Sequence, residues 1–202
     1  MVAALCAGIT QADEEFVAQD VGIRWGMSAE SPGEDTTIAP VDSETSELLD
    51  RLIRSQRIAA LGTLRQGAPL VSMVLYLPDS GFDAFHLHVS RLAWHTQDML
   101  ADPRVSLSIA AADDGRADPQ MLARVSLRGE AAALPNDTPE HARLKAAWLA
   151  RYPDSAINFE LADFQFFRIA LRDARFVAGF GRIHNLSAKD LADVGTRGNN
   201  PA

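Results

Sequence analysis

The spacing of apolar and polar residues changes period several times along this chain, and each change marks a new element. From Asp42 the pattern is helical: Leu48, Leu49, Leu52 and Ile53 form one stripe, Asp42 or Ser43 stands at its start as a cap, and Arg51 and Arg54 face outward. This helix ends near Gln56. Residues 58–64 and 69–77 then flank Gln66-Gly67, which predicts a tight hairpin. The second of these strands, PLVSMVLYL, is apolar on nearly both faces. Both sides are therefore expected to be covered, as in a closed barrel or at a subunit contact. Pro78, Asp79, Ser80 and Gly81 make the next turn.

Phe85, Leu87 and Val89 alternate with His86, His88 and Ser90, the two-residue period of a half-buried strand. After Ser90 the period lengthens. Leu92, His95, Thr96 and Met99 recur at three- and four-residue spacing, which predicts a helix that begins near Arg91, is capped by Ser90 and stops before Pro103. Residues 105–110 read as a strand, AADDGRADP as a polar loop, and 122–134 as a long strand with a bulge at Gly129. Residues 138–150 predict a helix with Leu144 and Trp148 inward, limited by Pro153. Two strands, 164–171 and 175–180, close the run, and Ser187 with Asp190 opens a short helix in the manner of a capping box.

Connections of hairpin length dominate, so the expected fold is mainly β with flanking helices, an antiparallel barrel rather than a doubly wound parallel sheet. Residues 1–42 carry scattered acids, Gly and Pro without sustained periodicity and read as a flexible N-terminal extension. The barrel domain is expected over 43–186, and a short C-terminal helix and tail over 187–202.

Composition narrows the function. A net charge of −8 over 202 residues, with a pI near 5, argues against a nucleic-acid partner. Cys6 is the single cysteine, which excludes an intramolecular disulfide and a multi-cysteine metal site and fits a reducing cytoplasm. The apolar start MVAALCAGI lacks the basic residues of a secretory signal and is too short to span a bilayer, so a cytoplasmic protein without a membrane partner is expected.

Candidate chemistry concentrates in residues 85–107. A helix start at Ser90 with the Arg91 guanidinium beside it has the makings of an anion site. The same residues read equally well as a capped helix with a solvated arginine and His95 packed on its face. His86 and His88 lie on one side of a strand at about 6 to 7 Å, a metal-site spacing that lacks a third ligand nearby. Arg124 and Arg128 share a strand face with Ser126, so they meet either solvent or an anion in a cleft. In VAGFGRIH, residues 177–184, two glycines permit unusual backbone angles, and His184 could approach a planar ligand. No G-x-G-x-x-G or G-x-x-x-x-G-K-[ST] phosphate loop is present, nor the H-E-x-x-H or G-x-S-x-G motifs of hydrolases.

The run RIAALGTL, VSMVLY, HVSRLAWHTQDMLADPRVSL and ARVSLRGEA resembles the pyridoxamine 5′-phosphate oxidase-like, FMN-binding split-barrel superfamily. SRLAWHTQDMLADPRVSL together with AGFGRIH most resembles its haem-utilisation branch, and the resemblance extends over residues 48–183. It implies a six-stranded antiparallel split β-barrel, assembled as a homodimer with FMN in the cleft between subunits. It further implies that Ser72, Met73, Val74 and Leu75 contact the flavin, the last three through backbone groups. His88, Val89, Ser90, Arg91 and His95 would hold the phosphate, and Arg124 would reach the flavin. The activity implied is an FMN-dependent oxidoreductase acting on a small-molecule redox substrate. Ser72 and Leu77 replace the Arg and Lys of true pyridoxamine phosphate oxidases, and His95 replaces a phosphate-binding Lys, which speaks against that particular reaction. The haem-utilisation branch implies instead that haem occupies the same cleft, bound or degraded there, with His184 or His88 as iron ligand.

Overall fold

The computed structural model describes residues 42–179 and 181–198. Helix α1, Ser43–Ser55, starts where the Asp42 carboxylate accepts from the Thr45 amide at 2.7 Å, and it buries Leu49, Leu52 and Ile53. Arg54 does not face outward as its position on the stripe suggested. It pairs with Asp50 at 2.8 Å, donates to the carbonyls of Ser80 and Gly195, and lies over the Phe82 ring. The guanidinium thus ties α1 to two loops while its stem covers apolar surface.

Strands β1 (Ile58–Arg65) and β2 (Ala68–Leu75) form the expected hairpin. Gln66 and Gly67 both take positive φ, 52° and 83°, the backbone of a turn whose twist matches the strands it joins. The chain continues through β3 (Leu77–Pro78), β4 (Ala84–Ser90), α2 (Trp94–Ala101), β5 (Arg104–Ala110), β6 (Arg124–Ala133), α3 (Pro139–Arg151), a 3₁₀ segment Pro153–Phe159, β7 (Phe164–Gly179), β8 (Arg182–Ser187) and α4 (Ala188–Gly198).

All pairings are antiparallel, in the order β2-β1-β5-β6-β7-β4-β3, with β8 added to β7. This is the split barrel, built from eight strands among the described residues rather than six. The pattern of residues gives seven, and three local features turn that number into eight. Leu77–Pro78 forms a separate short strand, and residues 182–187 extend beyond the glycine turn as β8. Residues 164–171 and 175–180 were expected as two strands, but 164–179 runs as one, because a register shift between Arg128 and Gly129 of β6 lets β7 bend without breaking. A Cβ on Gly129 would collide with the Ala170 carbonyl, so the bulge requires a glycine there.

Two cores hold the fold. The barrel interior collects Leu61, Phe85, Leu87, Leu107, Leu127, Phe167 and Phe176, closed by Leu49 and Ile53 of α1 and by Leu191 and Val194 of α4. Outside the barrel, α3 and the 3₁₀ segment pack Leu144, Trp148, Tyr152 and Phe159 over Phe166 of β7. That second layer is why β4 is buried on both faces except at Ser90, where alternation predicted a half-buried strand. Ser187 and Asp190 form the expected reciprocal box: the Ser187 amide donates to the Asp190 carboxylate at 2.8 Å, and the Asp190 amide donates to the Ser187 hydroxyl at 3.3 Å.

The cover expected over both faces of β2 is not supplied by the described residues. Val71 and Met73 stand 69% and 67% exposed on its outer face. Among the described residues, no helix is long and apolar enough to cross a membrane. The extension expected over 1–42 lies, except for Asp42, outside the described residues, as do Phe180 and residues 199–202.

Candidate functional site

Among the described residues, no helix lies over one broad face of the sheet, across β2, β1, β5, β6 and the far half of β7. Strand alternation decides what it presents. Val71 and Met73 of β2 pair with Gly62 and Ala60 of β1, which pair in turn with Ser106 and Ser108 of β5. Next on β6, Ser126 lies opposite Ser108, and Arg128 opposite Ser106. On β7, Arg175 lies opposite Ser126 and Asp173 opposite Arg128. The result is a floor of small side chains, bordered by apolar Val71 and Met73 on one side and by arginines on the other. Arg175 sits diagonally between Arg124 and Arg128, roughly 7–8 Å from each by ordinary sheet geometry.

The arginines are held in place. Arg128 pairs with Asp173 at 2.6 Å, Arg175 donates to the Asn185 side chain at 3.1 Å, and Arg124 donates to the carbonyls of Gln120 and Leu122. Burial pushes the Asp173 carboxyl up, but hydrogen bonds from Arg128 and Arg172 outweigh it and leave the group below its ordinary range. Asp173 therefore stays ionised and orients both guanidinium groups.

The residues expected to hold a cofactor are scattered over the fold rather than gathered in one cleft. Met73 and Arg124 belong to the open face, whereas Val74 is buried in the barrel and Ser72 lies on that inward side with it. Leu75 packs against the outer core, and Val89 faces the barrel interior. The structure corrects the reading of the Ser90–Arg91 corner. Helix α2 begins at Trp94 with Ala93 as its cap residue and no side-chain cap, because Ser90 still belongs to β4. The Ser90 hydroxyl donates to the Asp163 carboxylate, the Arg91 amide donates to the Asp163 carbonyl at 2.7 Å, and the Arg91 guanidinium donates to the Ala162 carbonyl at 2.8 Å. Leu92, expected on the buried helix face, precedes the helix and is exposed.

The register also separates the corner from Arg124. Ser90 pairs with Phe164 at one end of β7, and Arg124 with Val177 near the other. One chain does not bring these two groups together.

Among the described residues no cluster of His, Cys, Asp and Glu has the makings of a metal site. His86 is buried and bonded to Asp79 at 2.9 Å. His95 lies on α2, where burial lowers its pKa against the opposing charge of Asp98, and its Nε2 is enclosed without a partner. The Asp98 carboxylate in turn accepts from Thr63 and Arg65 of β1, fixing α2 on the sheet. His184 stacks on buried Phe176, beside Asp42 at the start of α1, and its Nε2 is likewise enclosed. His88 stacks on Phe159 at 4.0 Å between ring centroids and lines a cavity of about 310 Å³ with His141 and Lys145. Burial, then the charges of His141 and Lys145, push His88 down to about 4. It is a neutral imidazole at pH 7.

Residues 43–192 match the model of the CREG beta-barrel family. The chain belongs to that family. It is 35% identical, over 114 residues, to the chloroplastic heme oxygenase HOZ of Arabidopsis thaliana, covering 56% of this chain and 33% of that protein. It is 27% identical over 131 residues to the heme oxygenase HutZ of Vibrio cholerae, covering 63% of this chain and 72% of HutZ. A heme binding protein from Mycobacterium smegmatis superposes with a TM-score of 0.65 at 30% identity, over 73% of this chain and 60% of that one. The chain thus spans a third of the length of HOZ. A putative pyridoxamine 5′-phosphate oxidase from Listeria innocua shares the fold alone, with a TM-score of 0.52 at 13% identity over 66% of this chain and 98% of that one. The split-barrel fold and the likeness to the haem-utilisation branch both stand.

Within this CREG-family barrel, two features of interest escaped the sequence. Arg175 joins Arg124 and Arg128 on the open face, and the alternation of Asp173, Arg175 and Val177 would have shown this had β7 been read as one strand. The wall built by α3 and residues 159–164 around His88 had no local signal, because it depends on a helix packing back over a distant strand.

Proposed function

We propose that this protein binds haem on the open sheet face, as a haem-utilisation member of the CREG barrel family. The observation that carries this reading is the identity of 35% and 30% to proteins named for haem oxygenation and haem binding. The donor set fits the group. A planar tetrapyrrole needs a floor free of bulky side chains, which Ala60, Gly62, Ser106, Ser108 and Ser126 provide, and its two carboxylates need cations, which Arg124, Arg128 and Arg175 provide. Val71 and Met73 offer apolar cover at the other border. When bound, haem supplies the iron for redox chemistry with oxygen. The protein's residues grip the carboxylates, seat the ring and exclude water once the face is covered.

Cover is proposed to come from a second copy, making a homodimer in which Val71 and Met73 lose their exposure. This also explains why β2 is apolar on both sides. His184 is a poor iron ligand in this arrangement, since its Nε2 is enclosed and its ring stacks on buried Phe176. No partner nucleic acid or membrane is part of the proposal, and the single Cys6 supports a cytoplasmic site of action.

A second reading, an FMN-dependent oxidoreductase with a small redox substrate, draws on the likeness in fold to a pyridoxamine 5′-phosphate oxidase. It is weakened by the Ser90–Arg91 corner, whose donors already serve Asp163 and Ala162. The absorption spectrum of the freshly purified protein, repeated after incubation with haemin or FMN, separates the two. Haem gives one intense Soret band, and flavin a pair of weaker bands, one on each side of that position. A protein that takes up neither cofactor contradicts both readings.

A further inference from the structure

We propose that the thioether of Met73 is the protein's axial ligand to the haem iron on the open face. The inference rests on the haem reading above and supplies the one group that reading leaves unassigned, the atom that meets the metal.

Elimination comes first. Proteins hold haem iron through a histidine nitrogen, a methionine thioether, a cysteine thiolate or a tyrosine oxygen. All five histidines and both tyrosines of the chain are among the described residues, and none stands on the open face. His86 and His88 are buried on β4, and His141 belongs to α3 and meets Phe166 edge-on at 5.4 Å. His95 belongs to α2, with its Nε2 enclosed. On β8, Ile183 and Asn185 pair with Val177 and Arg175 and share their face, so His184 between them points the other way, onto Phe176 of the barrel core. Tyr76 and Tyr152 are buried, and their hydroxyls bond to the carbonyls of Ile53, Arg57 and Tyr76. A second copy carries the same residues in the same places, so a homodimer brings neither imidazole nor phenol to this face.

Position comes second. Met73 stands 67% exposed on the face. The strand register sets it in one row with Ala60, Ser108, Ser126 and Arg175, each on the next strand of the sheet. Met73 and Arg175 are thus four strand spacings apart, about 19 Å along the sheet. A disc with iron at its centre and carboxylates on its edge calls for a cation at one end of such a row, a soft donor toward the other, and small side chains between them. The other described methionines do not qualify. Met99 is packed in the barrel core, and Met121 lies in the 3₁₀ turn Pro119–Met121 ahead of β6, outside the row.

The chemistry has a direction. A thioether is a soft, neutral donor, so it favours ferrous over ferric iron and raises the reduction potential. Val71, the neighbour of Met73 on the face, has no donor atom and provides packing alone.

The test loads haemin into the full-length chain and into Met73→Leu, Met73→His, Met121→Leu and Cys6→Ser, and records the absorption spectrum and the reduction potential of each. Met73→Leu keeps the apolar volume at an exposed position, so folding is preserved. It is expected to take up haemin through the arginines, to lose the far-red charge-transfer band of an iron–thioether bond, and to lower the potential. Met73→His is expected to give the spectrum of an imidazole-ligated iron, and Met121→Leu and Cys6→Ser to leave spectrum and potential as in the unaltered chain. Haemin bound to Met73→Leu with both unchanged, or a change confined to Met121→Leu or Cys6→Ser, would overturn the assignment of Met73 while the haem reading stands. Failure of the unaltered chain to bind haemin saturably would overturn both.

Discussion

The Ser90 hydroxyl donates to the Asp163 carboxylate, so a corner that reads in sequence as an anion site is already filled by an anion of the protein's own. Arg91 is committed to the same loop through the Ala162 carbonyl. FMN is therefore expected to bind this protein no more tightly than riboflavin, which lacks the phosphate. Asp163→Ala should reverse this, favouring FMN by about ten- to a hundredfold, since a charge-assisted hydrogen bond contributes about 1.5–3 kcal/mol. Titration of flavin fluorescence measures both ratios. A strong preference of the unaltered protein for FMN would show that the corner opens to phosphate.

The arginine border makes a separate expectation. Arg175→Glu and Arg128→Glu should each weaken haemin by about tenfold or more, on the same magnitude for a charge-assisted contact. Haemin dimethyl ester has no carboxylates and should bind both variants as it binds the unaltered protein. Equal losses for the ester and the free acid would place the carboxylates elsewhere.

His88 gives a stability prediction with a definite sign. Its folded pKa of about 4 lies below the ordinary 6.5, so the unfolded chain binds more protons between those values. Its contribution to stability is complete above pH 6.5 and is lost as pH falls toward 4, by an amount on the order of 2–3 kcal/mol. Urea midpoints at neutral pH and near pH 4.5 should differ less in His88→Phe than in the unaltered chain. An identical pH dependence would remove His88 as the source.

Gly129→Ala should destabilise the barrel by about 1–3 kcal/mol, because the new Cβ meets the Ala170 carbonyl, a rigid backbone atom. The urea midpoint should fall with an unchanged slope. A neutral result would mean that the β6–β7 bulge relaxes freely.

Much of this fold is legible in local sequence patterns. The Asp42 cap, the Gln66-Gly67 turn and the Ser187–Asp190 box are each set by residues within a few positions of one another, and the Gly129 bulge is marked by the glycine alone although its partner, Ala170, lies on β7. What stayed hidden depended on distant partners. Helix α3 covers β4 and turns His86 and His88 into buried residues, and Asp163, far along the chain, occupies the Ser90 corner. The candidate site suffered most for the same reason. Met73 and Arg124 do share the open face, but Arg175 joins them only because β7 bends through residues that alternation alone split in two.

The central claim is that the open face takes haem in preference to flavin, and its most direct measurement is equilibrium titration of the purified chain with haemin, followed at the Soret band, beside a parallel titration with FMN. The account predicts saturable haemin binding at least a hundredfold tighter than FMN, with a Soret position unchanged in His184→Ala. Saturable FMN binding with no specific haemin binding would contradict it.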